Sequence, residues 1–296
     1  MPPVDLPSRA FLQLREEFFD ALGKPKPFAL RDKRNTQDDP LDELLGTVVL
    51  RKIPGVECVK SPGPLITPDL VIYDPARSDR LGVDKPPDLE SFVAIEVKKL
   101  ERTANGSVAR ASGLDYNTTP PCGTVQVYDR RGTPLLLRGF YLFICLENAG
   151  TGTVQVTSLV LTDGDLLNSD VQLYQSIVGQ RTKGIGLGTF GDGVNRNRPM
   201  MIFGNPLGLD GLDRSATLIH PSAALEKDQP ELSSIGTISR THAGSSTVST
   251  FYCYRDKRDV PAGAAALALR DPFKVPERSS ATQSRGMFRL PFDLKR

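Results

Sequence analysis

Histidine is scarce in this chain, with only His220 and His242 among 296 residues. That scarcity disfavours hydrolases built on a histidine base or a Ser-His-Asp arrangement. The four cysteines, Cys58, Cys122, Cys145 and Cys253, lie far apart with no Cys-x-x-Cys spacing. The pattern argues against a zinc site and for reduced thiols. No apolar run approaches the length of a membrane span, and Met1-Pro2-Pro3-Val4-Asp5 lacks the basic-then-apolar start of a secretory signal. A cytoplasmic protein with no membrane partner is therefore expected. Net charge is also small, +2 from 37 basic and 35 acidic residues.

The chain does have enough apolar material for a full core: 39% of its residues are hydrophobic and 24% charged. Its length fits one domain, read as an N-terminal helix and connector over 1–39, a core over 40–180, and a recognition and basic part over 181–296. The charge is unevenly spread. From Arg240 to Arg296 there are eleven Lys or Arg against five Asp or Glu, and from Lys98 to Arg138 seven against three. Basic stretches of this kind suit a polyanion.

The most informative pattern is a pair of strand-like runs that carry charge. Thr67-Pro68-Asp69-Leu70-Val71-Ile72-Tyr73 and Phe92-Val93-Ala94-Ile95-Glu96-Val97-Lys98 are otherwise apolar. Side chains alternate along a strand, so Glu96 and Lys98 share one face, about 6.6 Å apart, while Ile95 and Val97 face the other way. Burying such a pair is costly unless the two groups serve each other or a ligand. With Asp69 on a neighbouring strand, two carboxylates are available for Mg²⁺, which keeps several waters and takes one or two protein acids. Such a set suits hydrolysis of a phosphodiester, for which Lys98 is expected beside the attacking water and the phosphate, with its role as base or as transition-state cation left open.

Pro68-Asp69 followed by Glu96-Val97-Lys98 resembles the PD-(D/E)xK nuclease superfamily, and within it the type II restriction endonucleases. The resemblance covers about residues 40 to 100. It implies an α/β fold, a restriction-endonuclease-like mixed central β-sheet flanked by helices with insertions for DNA recognition. It also implies Mg²⁺ as cofactor, held by Asp69, Glu96 and the backbone carbonyl of Val97, with Lys98 catalytic. Many members place a further acid on a preceding helix. Asp39-Pro40-Leu41-Asp42-Glu43-Leu44-Leu45-Gly46 supplies such a helix, with Asp39 as cap, Pro40 at its first position, Gly46 at its end and Glu43 as the expected acid. The resemblance further implies double-stranded DNA as substrate and a homodimer on palindromic DNA.

Other segments complete the pattern. Residues 8 to 23 are expected to form an amphipathic helix capped by Ser8, with Phe11, Leu14, Phe18 and Leu22 on one face and Gly23 closing it. Strands are expected over Thr47 to Lys60, Pro68 to Asp74 and Phe92 to Leu100. A hairpin follows over Arg138 to Glu147 and Thr153 to Thr162, and later strands over Met200 to Phe203 and Thr247 to Tyr254. Asp165 is expected to cap a helix over Leu166 to Val178. The polar stretch after the Glu-x-Lys strand offers Arg102, Arg110, Tyr116 and Asn117 for DNA contacts. The glycine-rich segment offers Arg181, Lys183, Asn195, Arg196 and Arg198. Gly186-Leu187-Gly188 lacks the strand and helix that a dinucleotide loop requires, so no nucleotide cofactor is expected. The rival readings are a structure-specific repair or recombination nuclease of the same fold, and a catalytically inactive DNA-binding module.

Overall fold

The computed structural model describes residues 5–34, 38–63, 66–78, 88–102, 108–109, 123–166, 189–190, 215–241, 247–260 and 288–293. Helix α1 spans Leu6–Phe18, where Leu6, Ala10, Phe11, Leu14 and Phe18 recur at helical spacing and are all buried. Its cap is Asp5, whose carboxylate accepts from the Ser8 N–H at 2.8 Å; Ser8 itself is the third residue inside. The helix also stops earlier than its periodicity implies. Lys26 N–H donates to the Phe18 carbonyl as the chain turns back, leaving Leu22 76% exposed.

Strand β1 (Pro27–Ala29) precedes helix α2 (Pro40–Leu44), which is capped by Asp39 through the Leu41 N–H at 3.0 Å. Gly46 does not end the helical path. A π turn over Leu45–Val49 and a 3-10 turn over Leu50–Lys52 follow without a break. Here the strand expected from Thr47 gives way to a helical stripe, because Leu41, Leu45 and Val49 at spacing four all enter the core. Only Glu57–Lys60 is extended, as β2.

The remaining elements are β3 (Leu70–Tyr73), α3 (Pro75–Ser78), β4 (Phe92–Arg102), β5 (Val108–Ala109), β6 (Thr124–Tyr128), β7 (Pro134–Gly150), β8 (Thr153–Asp163), β9 (Thr189–Phe190), β10 (Ala216–His220), α4 (Leu225–Asp228), β11 (Leu232–Thr241) and β12 (Val248–Asp256). Among the described residues, twelve strands form one mixed sheet with the main order β11-β12-β10-β8-β7-β4-β3-β2. Strand β4 is central: it runs antiparallel to β3 and parallel to β7. The β7–β8 hairpin and β12 fall where their alternating or apolar runs indicate, while β6, β10 and β11 lie outside the expected runs. Asp163 rather than Asp165 caps the turn after β8, accepting from the Asp165 N–H at 2.8 Å.

Both faces of the central strands are covered. On one, Val93, Ile95, Phe140 and Leu142 pack with Phe11, Leu14, Leu41 and Leu45 from α1 and the α2 region. On the other, Phe92, Ala94, Val71 and Leu137 pack with Phe288 and Leu290. Burying each such Leu or Phe stabilises by about 1.5–3 kcal/mol, and this holds β4 rigid from both sides. No helix among the described residues is long and apolar enough to cross a membrane.

Candidate active site

The β3–β4 ladder pairs Tyr73 with Phe92 and continues in step to Leu70 with Ile95. One step further in the same register brings Asp69 opposite Glu96. Alternation then sets Asp69, Glu96 and Lys98 on the face that carries Val71, Phe92 and Ala94. The expected grouping of the three residues is present. Asp69 leaves the ladder in a defined pose: its carbonyl accepts from the Ser61 N–H at 2.7 Å and its Oδ2 accepts from the Val97 N–H at 2.8 Å. The first bond extends the β2–β3 pairing, and the second replaces the ladder bond that β3 no longer offers to β4.

Glu96 and Lys98 are buried, with 5% and 7% of their surface exposed. The Lys98 ammonium donates to Glu96 Oε1 at 3.0 Å. Glu96 Oε2, in contrast, is buried and has no hydrogen-bond partner. An orphaned carboxylate oxygen costs about 1–3 kcal/mol or more unless a donor or a cation meets it. Burial drives the Asp69 carboxyl well above the ordinary carboxylate range, and the neighbouring Glu96 and Asp42 push it further.

Asp42 is the acid that α2 contributes. Burial, then Asp39 and Glu96, raise its carboxyl to about 7, while Lys60 and Lys98 pull the other way. Glu43, the residue expected in this role, faces elsewhere. Its carboxylate is held by Arg31, which also binds Asp38 at 2.5 and 2.8 Å, and Arg31 keeps the Glu43 carboxyl below its ordinary value. The signal for Asp42 is present in the helical wheel. At about 100° per residue, Glu43 points away from the stripe of Leu41, Leu45 and Val49, whereas Asp42 flanks it.

Whether the site suits a cation follows from these groups. Among the described residues no three His, Cys, Asp or Glu side chains gather as a protein-only metal cage. Mg²⁺ needs no such cage, since it retains waters and takes one or two carboxylates. Asp69 and Glu96 provide two mutually repelling acids and one unpartnered oxygen. Because the N–H and C=O of a strand residue project to the same edge, the Val97 carbonyl faces the side where Asp69 receives its amide. The donor set is all oxygen and fits a hard cation.

The nucleic-acid contacts expected from sequence fall mostly outside the described residues: Arg110, Tyr116, Asn117, Arg181, Lys183, Asn195, Arg196 and Arg198. Arg102 is described by its backbone only, opposite Val108 at the end of β4. A second polar concentration lies at the other end of β4, around a cavity of about 470 Å³ lined by Asp5, Val93, Arg138 and His220. Its charges are committed to one another. Arg138 donates to Asp163 at 2.9 and 3.0 Å, His220 Nε2 lies 3.1 Å from Asp5, and the Ser222 N–H donates to His220 Nδ1 at 3.0 Å. Together these contacts make His220 a clasp between the Asp5 cap of α1 and β10.

Comparison with protein-family models, with curated proteins and with solved structures finds no match to this chain. The chemistry of the site therefore stands on its own residues.

Proposed function

We propose that this protein is a Mg²⁺-dependent endonuclease that hydrolyses phosphodiester bonds of double-stranded DNA at a specific short sequence, in the manner of a type II restriction enzyme. The carrying observation is the juxtaposition across β3 and β4: Asp69 beside the Val97 amide, with buried Glu96 holding Lys98 at 3.0 Å. Asp69, Glu96 and the Val97 carbonyl are the groups that would hold Mg²⁺. When bound, the cation supplies positive charge for the phosphoryl oxygens and favours ionisation of water.

The chain's own residues divide the remaining work. The Val97 N–H orients Asp69, and Glu96 Oε1 orients Lys98. The Lys98 ammonium then reaches the face where Glu96 and Asp69 meet, so that it can hydrogen-bond a water or a non-bridging phosphoryl oxygen there. Packing of Phe92 and Ala94 beneath the acids excludes bulk solvent and strengthens these electrostatic contacts.

Incubation of a plasmid with the protein in Mg²⁺, with EDTA and Ca²⁺ as controls, tests the reading. Discrete fragments that depend on Mg²⁺ and vanish in Asp69→Asn are expected. Uncut plasmid under all conditions, or cutting unchanged in that variant, overturns it. Structure-directed cleavage instead of discrete bands would keep the active site and replace restriction with repair or recombination.

A further inference from the structure

The edge of the sheet next to the acids carries uncommitted positive charge. Lys60 closes β2, paired with Leu70, and the next residue, Ser61, bonds the Asp69 carbonyl at 2.7 Å. Lys60, directly opposite Leu70, therefore projects on the face that the α2 region covers, one step before the residue that bonds Asp69. Its stem crosses the π turn after α2, where a Cβ built on Gly46 would lie 3.5 Å from Lys60 Cβ and 3.7 Å from its Cγ. Gly46 is one turn beyond Asp42, so Lys60 overlies the same side of that helical path as the acid.

Arg34 lies in the segment that leads toward α2, where its backbone N–H donates to Asp38 at 2.8 Å. The side chains of Lys60 and Arg34 are both exposed, and neither has a hydrogen-bond or ion-pair partner among the described residues. Arg31 differs: it is spent on Asp38 and Glu43. Arg34 is held at the start of the same helical path, because its N–H and the Arg31 guanidinium share Asp38 Oδ2 and Arg31 also binds Glu43, the neighbour of Asp42. A polyanion that approaches Asp42, Asp69 and Glu96 is repelled unless cations flank its path, and these two are placed to do so.

We infer that Lys60, with Arg34 as its neighbour, binds backbone phosphates of the DNA beside the scissile bond, along the open edge of β2. The inference rests on the nuclease reading and names residues outside the set expected from the sequence. Phosphate contacts position a duplex without reading its bases, so cleavage specificity would be independent of them.

The test compares wild type, Lys60→Ala, Lys60→Arg and Arg34→Ala. Duplex binding is followed in Ca²⁺ from 50 to 300 mM salt, and steady-state cleavage is followed in Mg²⁺. Each lost phosphate contact should flatten the slope of log K against log salt by about 0.9. Lys60→Ala should also raise KM severalfold while the cleavage sites stay the same, and Lys60→Arg should recover most of the slope. A wild type that binds and cuts while Lys60→Ala retains its slope and KM overturns this inference alone. A wild type that neither binds nor cuts overturns the nuclease reading and the inference with it.

Discussion

The Val97 amide donates a 2.8 Å hydrogen bond to Asp69 Oδ2, and this bond joins the two halves of the candidate site. It also separates two functions of one side chain. Asp69→Asn keeps an oxygen acceptor for the amide and exchanges only the other carboxyl oxygen for an amide nitrogen, whereas Asp69→Ala also leaves a backbone donor without its partner. Chemical denaturation should show Asp69→Ala about 1–3 kcal/mol less stable than wild type and Asp69→Asn much less affected. Both should lose Mg²⁺-dependent cleavage and keep DNA binding in Ca²⁺. Equal stability of the two variants would show that the bond does not hold the strand end.

The buried Glu96–Lys98 pair makes a prediction about stability that does not depend on catalysis. Removing one member strands the other in the protein interior, so Lys98→Met should cost about 3 kcal/mol or more. Glu96→Gln combined with Lys98→Met removes both charges and should be more stable than Lys98→Met alone. Thermal melts of the three proteins measure this directly. Cleavage by Lys98→Met should fall by at least about 10²-fold, the range for loss of a group that assists proton transfer.

Asp69, Glu96 and Lys98 are legible in the sequence because strand alternation has a period of two, and a charged pair at that spacing inside an apolar run is costly to bury without a partner or a ligand. The α2 region is less so. Thr47, Val48 and Val49 have high β propensity, yet Leu41, Leu45 and Val49 all reach the core only along a helical path, and burial prevails over propensity. Strands β10 and β11 are hidden in the sequence because Thr217, His220, Ser233, Ser234 and Ser239 dilute their apolar patterns. Their place is set by long-range pairing, as in Ala216 with Leu159 and Leu232 with Asp256. Lys60 carries no local signal, because only the fold brings β2 beside the end of β3.

Asp42 gives the stability curve a definite sign. Its carboxyl titrates at an ordinary 3.8 when unfolded and at about 7 in the fold, raised chiefly by burial. The folded state therefore retains the proton to higher pH, and the linkage destabilises the protein progressively from about pH 4 to pH 7 before levelling off. Asp42→Asn lacks this loss. The stability difference, Asp42→Asn minus wild type, should grow across that interval when measured by denaturation without divalent cations. A difference that is constant with pH would show that Asp42 titrates normally.

Arg15 tests how firmly α1 anchors the sheet. Its guanidinium is fully buried and donates to Asp259 at 3.0 and 2.5 Å, tying the first helix to the turn that follows β12. Arg15→Met should cost about 3 kcal/mol or more, since Asp259 loses its counter-charge. Arg15→Met combined with Asp259→Asn should recover part of that loss.

Gly46 links the fold to the acid cluster. A Cβ at this position would meet Leu70 Cδ2 at 2.7 Å, and Leu70 is fully buried next to Asp69. Gly46→Ala forces the Leu70 side chain to yield, and Gly46→Val requires more than a rotation of its far end. Overpacking of this kind costs about 1–3 kcal/mol and moves the backbone of the tighter element. The element that can move is the π turn, which carries Asp42 one turn upstream. Gly46→Val should therefore lower the melting temperature and reduce cleavage together, while the double variant Gly46→Ala with Leu70→Val, which frees the volume the new methyl takes, should recover cleavage along with stability. Recovery of stability without recovery of cleavage would separate the packing of the π turn from the placement of the acids.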